Sequence, residues 1–160
     1  MPLAESLRSL YDHEIDSNHK MLAMLDSVPE ASRSDHRFQQ AVSLGAHLAA
    51  CRENWLDCIL TGGQNMVPWS EPDSNLATLR PRFAALEKSW TDYLAALEEP
   101  QLARDFEFDE NGGRFAIKTE VQLLQLVGHA PYHRGQIALL VDQLGGHTVD
   151  TDYVYWVLGE

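Results

Sequence analysis

The chain has 160 residues, 44% of them hydrophobic and 22% charged, with a formal net charge of −12. That length is enough for one domain with a buried core, and the composition is that of a globular protein without low-complexity tracts. The acidic balance argues against nucleic acid, whose phosphates need a Lys/Arg surface, and against anionic membranes as partners. No apolar run is long enough to span a bilayer. The opening MPLAESLRSLYDHEID carries charge where a secretory signal would be apolar, so a cytoplasmic location is expected.

Apolar residues recurring at spacings of three and four mark four long helices. The first runs from about Ala4 to Leu25, through Leu7, Leu10, Tyr11, Met21 and Leu22, and ends at Ser27-Val28-Pro29. The second runs from about Asp35 to Leu60. Its stripe is Leu44, Leu48, Cys51, Trp55 and Cys58/Ile59, and Thr61-Gly62-Gly63 stops it. The third runs from about Asn75 to Leu97, with Asp73, Ser74 or Asn75 as cap and Pro100 beyond its end. Alternation on both sides of Asn111-Gly112-Gly113, from Phe106 to Ile117, predicts a β-hairpin that must pack on the helices to be stable.

The fourth long helix runs from about Thr119 to Leu144 and stops at Gly145-Gly146. Its apolar stripe includes Leu126, His129, His133, Ile137, Leu140 and Leu144, and Pro131 predicts a local kink between the two histidines. The tail from Asp152 to Leu158 reads as a short apolar helix or docking segment. The fold class is therefore all-α, a single-domain four-helix bundle over residues 1–160 with at least one crossover, a hairpin before the last long helix and a short C-terminal helix.

Cys51 and Cys58 lie seven residues apart on the second helix, which separates them by roughly 10 Å of rise and forbids a disulfide. They read as reduced core residues, in keeping with a cytoplasmic chain.

The chemistry is concentrated in three histidines. His129 and His133 are four residues apart, so their imidazoles stand on one helical face, where one metal ion could touch both. His47 occupies an inward stripe of the second helix, between Leu44 and Cys51. Imidazole is a common transition-metal ligand, bundle cores are built from facing helices, and three protein ligands leave a coordination position open for water or substrate. The competing reading is three hydrogen-bonded core histidines without a metal.

The same residues carry a resemblance. His129-Ala-Pro-Tyr-His133-Arg134-Gly135-Gln136, followed by Gln143-Leu144-Gly145-Gly146 and Asp152-Tyr153, is similar to the DinB/YfiT-like metalloenzyme superfamily. His47 with Trp55 and Pro68-Trp69 is a second match. Asn18 is a third, although His13 and Asp16 stand where that family often has aromatic residues. The resemblance implies an up-down-down-up bundle, often a homodimer, with a divalent metal on His47, His129 and His133. It also implies that relatives include transferases and isomerases dependent on a low-molecular-weight thiol.

The leading expectation is thus a metal-dependent enzyme acting on a small-molecule substrate, activating a thiol (S-transferase type) or water (hydrolase type). The alternative is a non-catalytic metal-binding stress-response protein. Imidazole suits Zn, Ni, Fe and Cu alike, so the sequence does not choose the metal. Cys51 could reach the metal, but a small buried core residue is the better reading. Glu14 and Glu120 could approach as base or ligand, although solvated positions are favoured. Arg134 could hold an anionic substrate or pair with a carboxylate, and Gly135 reads as a site of close helix packing. His13, His19, His36 and His147 read as surface or boundary residues. The hairpin and the Trp156 tail are candidate contact surfaces for a second copy.

Overall fold

A computed structural model describes residues 2–159, among which there are six α-helices and one two-stranded sheet. The long helices are α1 (Leu3–Asp26), α2 (His36–Thr61), α3 (Leu76–Ala96) and α5 (Thr119–Gln143). Between α3 and α5 stand α4 (Glu99–Leu102), β1 (Asp105–Glu110) and β2 (Gly113–Lys118), and α6 (Tyr153–Leu158) ends the order.

The helix ends follow from their capping residues. Asp35 accepts from the Arg37 amide and Asn75 from the Ala77 amide, each satisfying a donor that the first turn leaves free. The start of α1 is capped from a distance, because the Glu99 carboxylate accepts from the amides of Leu3 and Ala4 at 3.0 Å each. At the end of α5 the chain turns at Gly145 (φ +81°), and the Gly146 amide bonds back to the Val141 carbonyl at 2.9 Å. Pro131 is exposed, and α5 continues through it as one helix.

Helix α1 packs against α3 and α5, and α2 packs against the same two. Pairing along the helices gives their directions. Gln39 and Gly45 of α2 meet Ser74 and Leu79 at the start of α3, and Trp90 of α3 meets Arg52 further along α2, so these two helices run parallel. Asp26 meets Arg80 while Tyr11 meets Leu86, so α1 is antiparallel to α3. Asn18 meets Arg134 and Ser27 meets His147, which sets α5 parallel to α1. The order is up-down-down-up, and the parallel α2–α3 pair requires the long link of residues 62–75.

The core is closed by Met21, Leu22, Leu25, Val42, Leu79, Trp90, Leu126, Ile137 and Val141. The hairpin pairs Phe108 with Phe115, and its turn residues Asn111 and Gly112 both have positive φ. Phe106 and Phe108 bury against Cys58 and Trp55 of α2, forming a second small apolar cluster. The C-terminal segment docks through Tyr153, whose hydroxyl lies 3.1 Å from Ser9 Oγ, and through Trp156, which meets the His13 ring edge-on. Trp156 is thus engaged within its own chain.

Candidate metal centre

The two helices that carry the three histidines, α2 and α5, are antiparallel neighbours. His129 and His133 stand one turn apart on α5, with ring centroids 4.6 Å apart. The His47 ring lies 5.3 Å from His129 and 4.9 Å from His133. Three imidazoles that sequence spacing assigned to two helices therefore meet at one place.

Their depth differs from the sequence expectation. The buried line of α5 runs through Leu123, Leu126, Ala130, Arg134, Ile137 and Val141, and both histidines lie beside it, half-buried. His47 is likewise half-buried, next to buried Ala46 and Leu48. The reason is geometric: α5 serves both α1 and α2, so its deepest line points between them and its α2 flank carries the histidines. The cluster consequently sits at the rim of the α2–α5 contact.

The residues around the cluster fix how it is presented. His47 Nδ1 lies 2.6 Å from the Trp69 carbonyl oxygen. A carbonyl only accepts, so Nδ1 carries the proton and Nε2 keeps its lone pair. Trp69 is held in place by the link between α2 and α3. There the Asn54 amide donates to the Val67 carbonyl at 2.8 Å and accepts from the Val67 amide at 2.7 Å, while Trp55 packs on Trp69 at 5.6 Å. On α5, His133 Nδ1 donates to Gln136 Oε1 at 2.6 Å, which leaves the Nε2 of His133 free in the same way. The His129 imidazole is pushed down to about 4, first by burial and then by the neighbouring His133, His47 and Arg52, so it is neutral at physiological pH.

Among the described residues, His47, Cys51 and His129 offer ligand atoms that all lie within 4.8 Å of one another, a group that could hold a metal ion. Cys51 is buried, with Sγ 3.5 Å from His47 Nε2, and burial pushes its thiol up to about 11. Imidazole and thiolate donors suit zinc and its transition-metal neighbours and not magnesium or calcium. With Zn–N near 2.0–2.1 Å and Zn–S near 2.3 Å, the edges of a tetrahedral site are about 3.3 Å (N to N) and about 3.6 Å (N to S). Cys51 Sγ is 3.5 Å from His47 Nε2 and 3.8 Å from its Nδ1, so it lies beside the ring.

The other candidates are placed as follows. Glu14 is buried, contrary to the solvated position expected for it, and its carboxylate takes both arms of the Arg52 guanidinium. Arg52 in turn lies over the Tyr11 and Trp90 rings at 5.3 and 4.8 Å. Arg134 is buried and donates to Asn18 Oδ1 at 3.1 Å instead of to a carboxylate. It borders a cavity of about 170 Å³ whose lining includes none of the three clustered imidazoles. A Cβ at Gly135 would meet nothing within 4 Å, so this glycine is not a packing contact. Glu120 stays in the first turn of α5, and neither it nor His133 is in the group of ligand atoms within 4.8 Å of one another. His13 is buried, with Nε2 2.8 Å from the Thr151 carbonyl, whereas His19 and His36 are exposed.

The fold and the site define a mostly helical bundle in which two facing helices bring together side chains that could hold a metal ion. The family model described as the DinB family matches residues 3–157, nearly the whole chain, and the chain belongs to the DinB family. Among curated proteins, none matches it.

Proposed function

We propose that His47, His129 and His133 hold one divalent transition-metal ion, and that the protein is an enzyme using this centre on a small-molecule thiol or on water. The observation that carries the reading is the half-buried position of all three imidazoles at the rim of the α2–α5 contact. An ion and a small substrate can both reach such a place, whereas a purely structural site is closed. When bound, the ion would lower the pKa of a coordinated thiol or water and supply a nucleophile near neutral pH.

The protein's own groups have separable parts in this reading. Trp69 and Gln136 orient the His47 and His133 rings so that both Nε2 atoms are available. The neutral state of His129 lets it ligate without first losing a proton. Glu14 is occupied by Arg52 and is not free to act as a base.

The test is turnover by metal-loaded protein. Thiol consumption with an electrophilic acceptor, and hydrolysis of activated esters, should each be assayed with and without a chelator, and with His129→Ala. Turnover in either assay that is abolished by the chelator and by the substitution supports the proposal. Metal-loaded protein inert in a broad screen of both kinds opposes it. It would then favour the second reading, a non-catalytic metal-binding stress-response protein, for which the nearness of Cys51 to the cluster is the specific observation.

A further inference from the structure

We infer that Cys51 is a fourth protein ligand, completing a His47–Cys51–His129–His133 site. The inference rests on the metal-binding reading and adds a donor to it. Three observations carry it.

The first is symmetry of spacing. His47 and Cys51 are one turn apart on α2, as His129 and His133 are on α5, and the two helices face each other antiparallel. Two such pairs bring four donor-bearing side chains to one rim, and the ligand atoms of His47, Cys51 and His129 lie within 4.8 Å of one another. The second is distance. Cys51 Sγ stands 3.5 Å from His47 Nε2 and 3.8 Å from its Nδ1, beside the ring, and its ligand atom lies within 4.8 Å of those of His47 and His129. Because Trp69 holds the His47 Nδ1 proton, Nε2 is the nitrogen whose lone pair could face a metal.

The third observation is the contrast with Cys58. That thiol, two turns further along α2, lies 3.9 Å from Met66 Sδ among Phe106 and Phe108 and is not in the His47–Cys51–His129 group. Free cysteines are commonly buried as small apolar residues, and Cys58 is one. Cys51 differs in having two imidazoles within ligand reach. With a thiolate in the set, the site would prefer zinc or cobalt over magnesium or manganese. Four protein donors close a tetrahedral site, so this donor set bears on the choice between the two readings above and favours the non-catalytic one.

X-ray absorption of the zinc-loaded chain reads the donor set directly, without any assay of activity. The expected spectrum has one sulfur scatterer at about 2.3 Å with nitrogen scatterers at about 2.0 Å. The same sulfur shell should persist in Cys58→Ser and vanish in Cys51→Ser. Cobalt-loaded protein should show a thiolate-to-cobalt charge-transfer band in the near ultraviolet with the same dependence. A stoichiometric metal with only nitrogen and oxygen neighbours overturns the inference and leaves the three-histidine reading standing. So does a sulfur shell that survives in Cys51→Ser. Failure of the wild-type chain to take up zinc or cobalt at all overturns both. The wild-type spectrum alone decides the matter if Cys51→Ser does not fold.

Discussion

Removing the Glu14 carboxylate should be one of the most costly single changes in this chain. Glu14 and Arg52 are 38 residues apart in sequence and form a bidentate pair whose side chains are 7% and 9% exposed. Arg134 lies in the same buried region, so the Glu14→Ala variant would leave two guanidinium groups there without that carboxylate. Breaking a buried pair by deleting one partner typically costs about 3–5 kcal/mol, because the surviving charge is left desolvated and unpaired. The aromatic faces of Tyr11 and Trp90 still hold Arg52, but a cation over a ring contributes only about 0.5–2 kcal/mol. For a chain of this size the net loss corresponds to a fall of roughly 6–20 °C in Tm, taking about 2–4 °C per kcal/mol. Urea unfolding followed by circular dichroism, on metal-free protein, measures it. The double variant Glu14→Leu/Arg52→Met should recover part of the loss, since it removes both charges together. A single-variant loss below about 1 kcal/mol, the range of exposed ion pairs, would refute the reasoning.

Other perturbations test other parts of the account. Asn54→Ala unfastens the segment that presents the Trp69 carbonyl, and it should weaken metal affinity by about 10–100-fold in chelator competition, the usual effect of losing an orienting group. Unchanged affinity would separate Trp69 from ring orientation. In metal-free protein, His129 has its folded-state pKa lowered from 6.5 to about 4, so the unfolded chain binds the extra proton between those values. Stability therefore falls as pH drops from 6.5 through 4, and His129→Phe should show a flatter acid limb in urea midpoints. On the alkaline side the Cys51 thiol is raised from 9.0 to about 11, so its contribution is present below pH 9 and lost as pH rises through 11; Cys51→Ala should remove that part of the slope. Gly146→Ala would place a Cβ 2.6 Å from Val141 Cγ1, and overpacking of this kind costs about 1–3 kcal/mol by the same unfolding measurement.

Much of the architecture is legible in the sequence because its signals are local. Asp35, Asn75 and Gly62 mark helix ends by their own chemistry, and Asn111-Gly112 supplies the two positive φ angles a tight hairpin needs. The short helix α4 carries no separate signal in the sequence, because Pro100 reads as a stop after α3. It is in fact at the first turn of α4, where proline is also favoured. The meeting of His47 with His129 and His133 follows from helical spacing and topology. Its position beside the core line of α5, not on it, does not follow, because the periodicity of one helix cannot reveal that two neighbours share its face. The Glu14–Arg52 pair joins distant segments and leaves no periodic trace. The orienting group on His47 is a backbone carbonyl, which every residue possesses, so nothing in the letters singles out Trp69. Gln136, three residues after His133 on the same helix, was within reach of a spacing argument.

The most direct measurement is metal content by elemental analysis of protein purified without a histidine tag, beside the His129→Ala/His133→Ala double variant. The account predicts about one equivalent of a divalent transition metal in the wild-type chain and almost none in a variant that keeps its helical circular dichroism. No metal in either protein, with no uptake of added zinc or nickel, would contradict it.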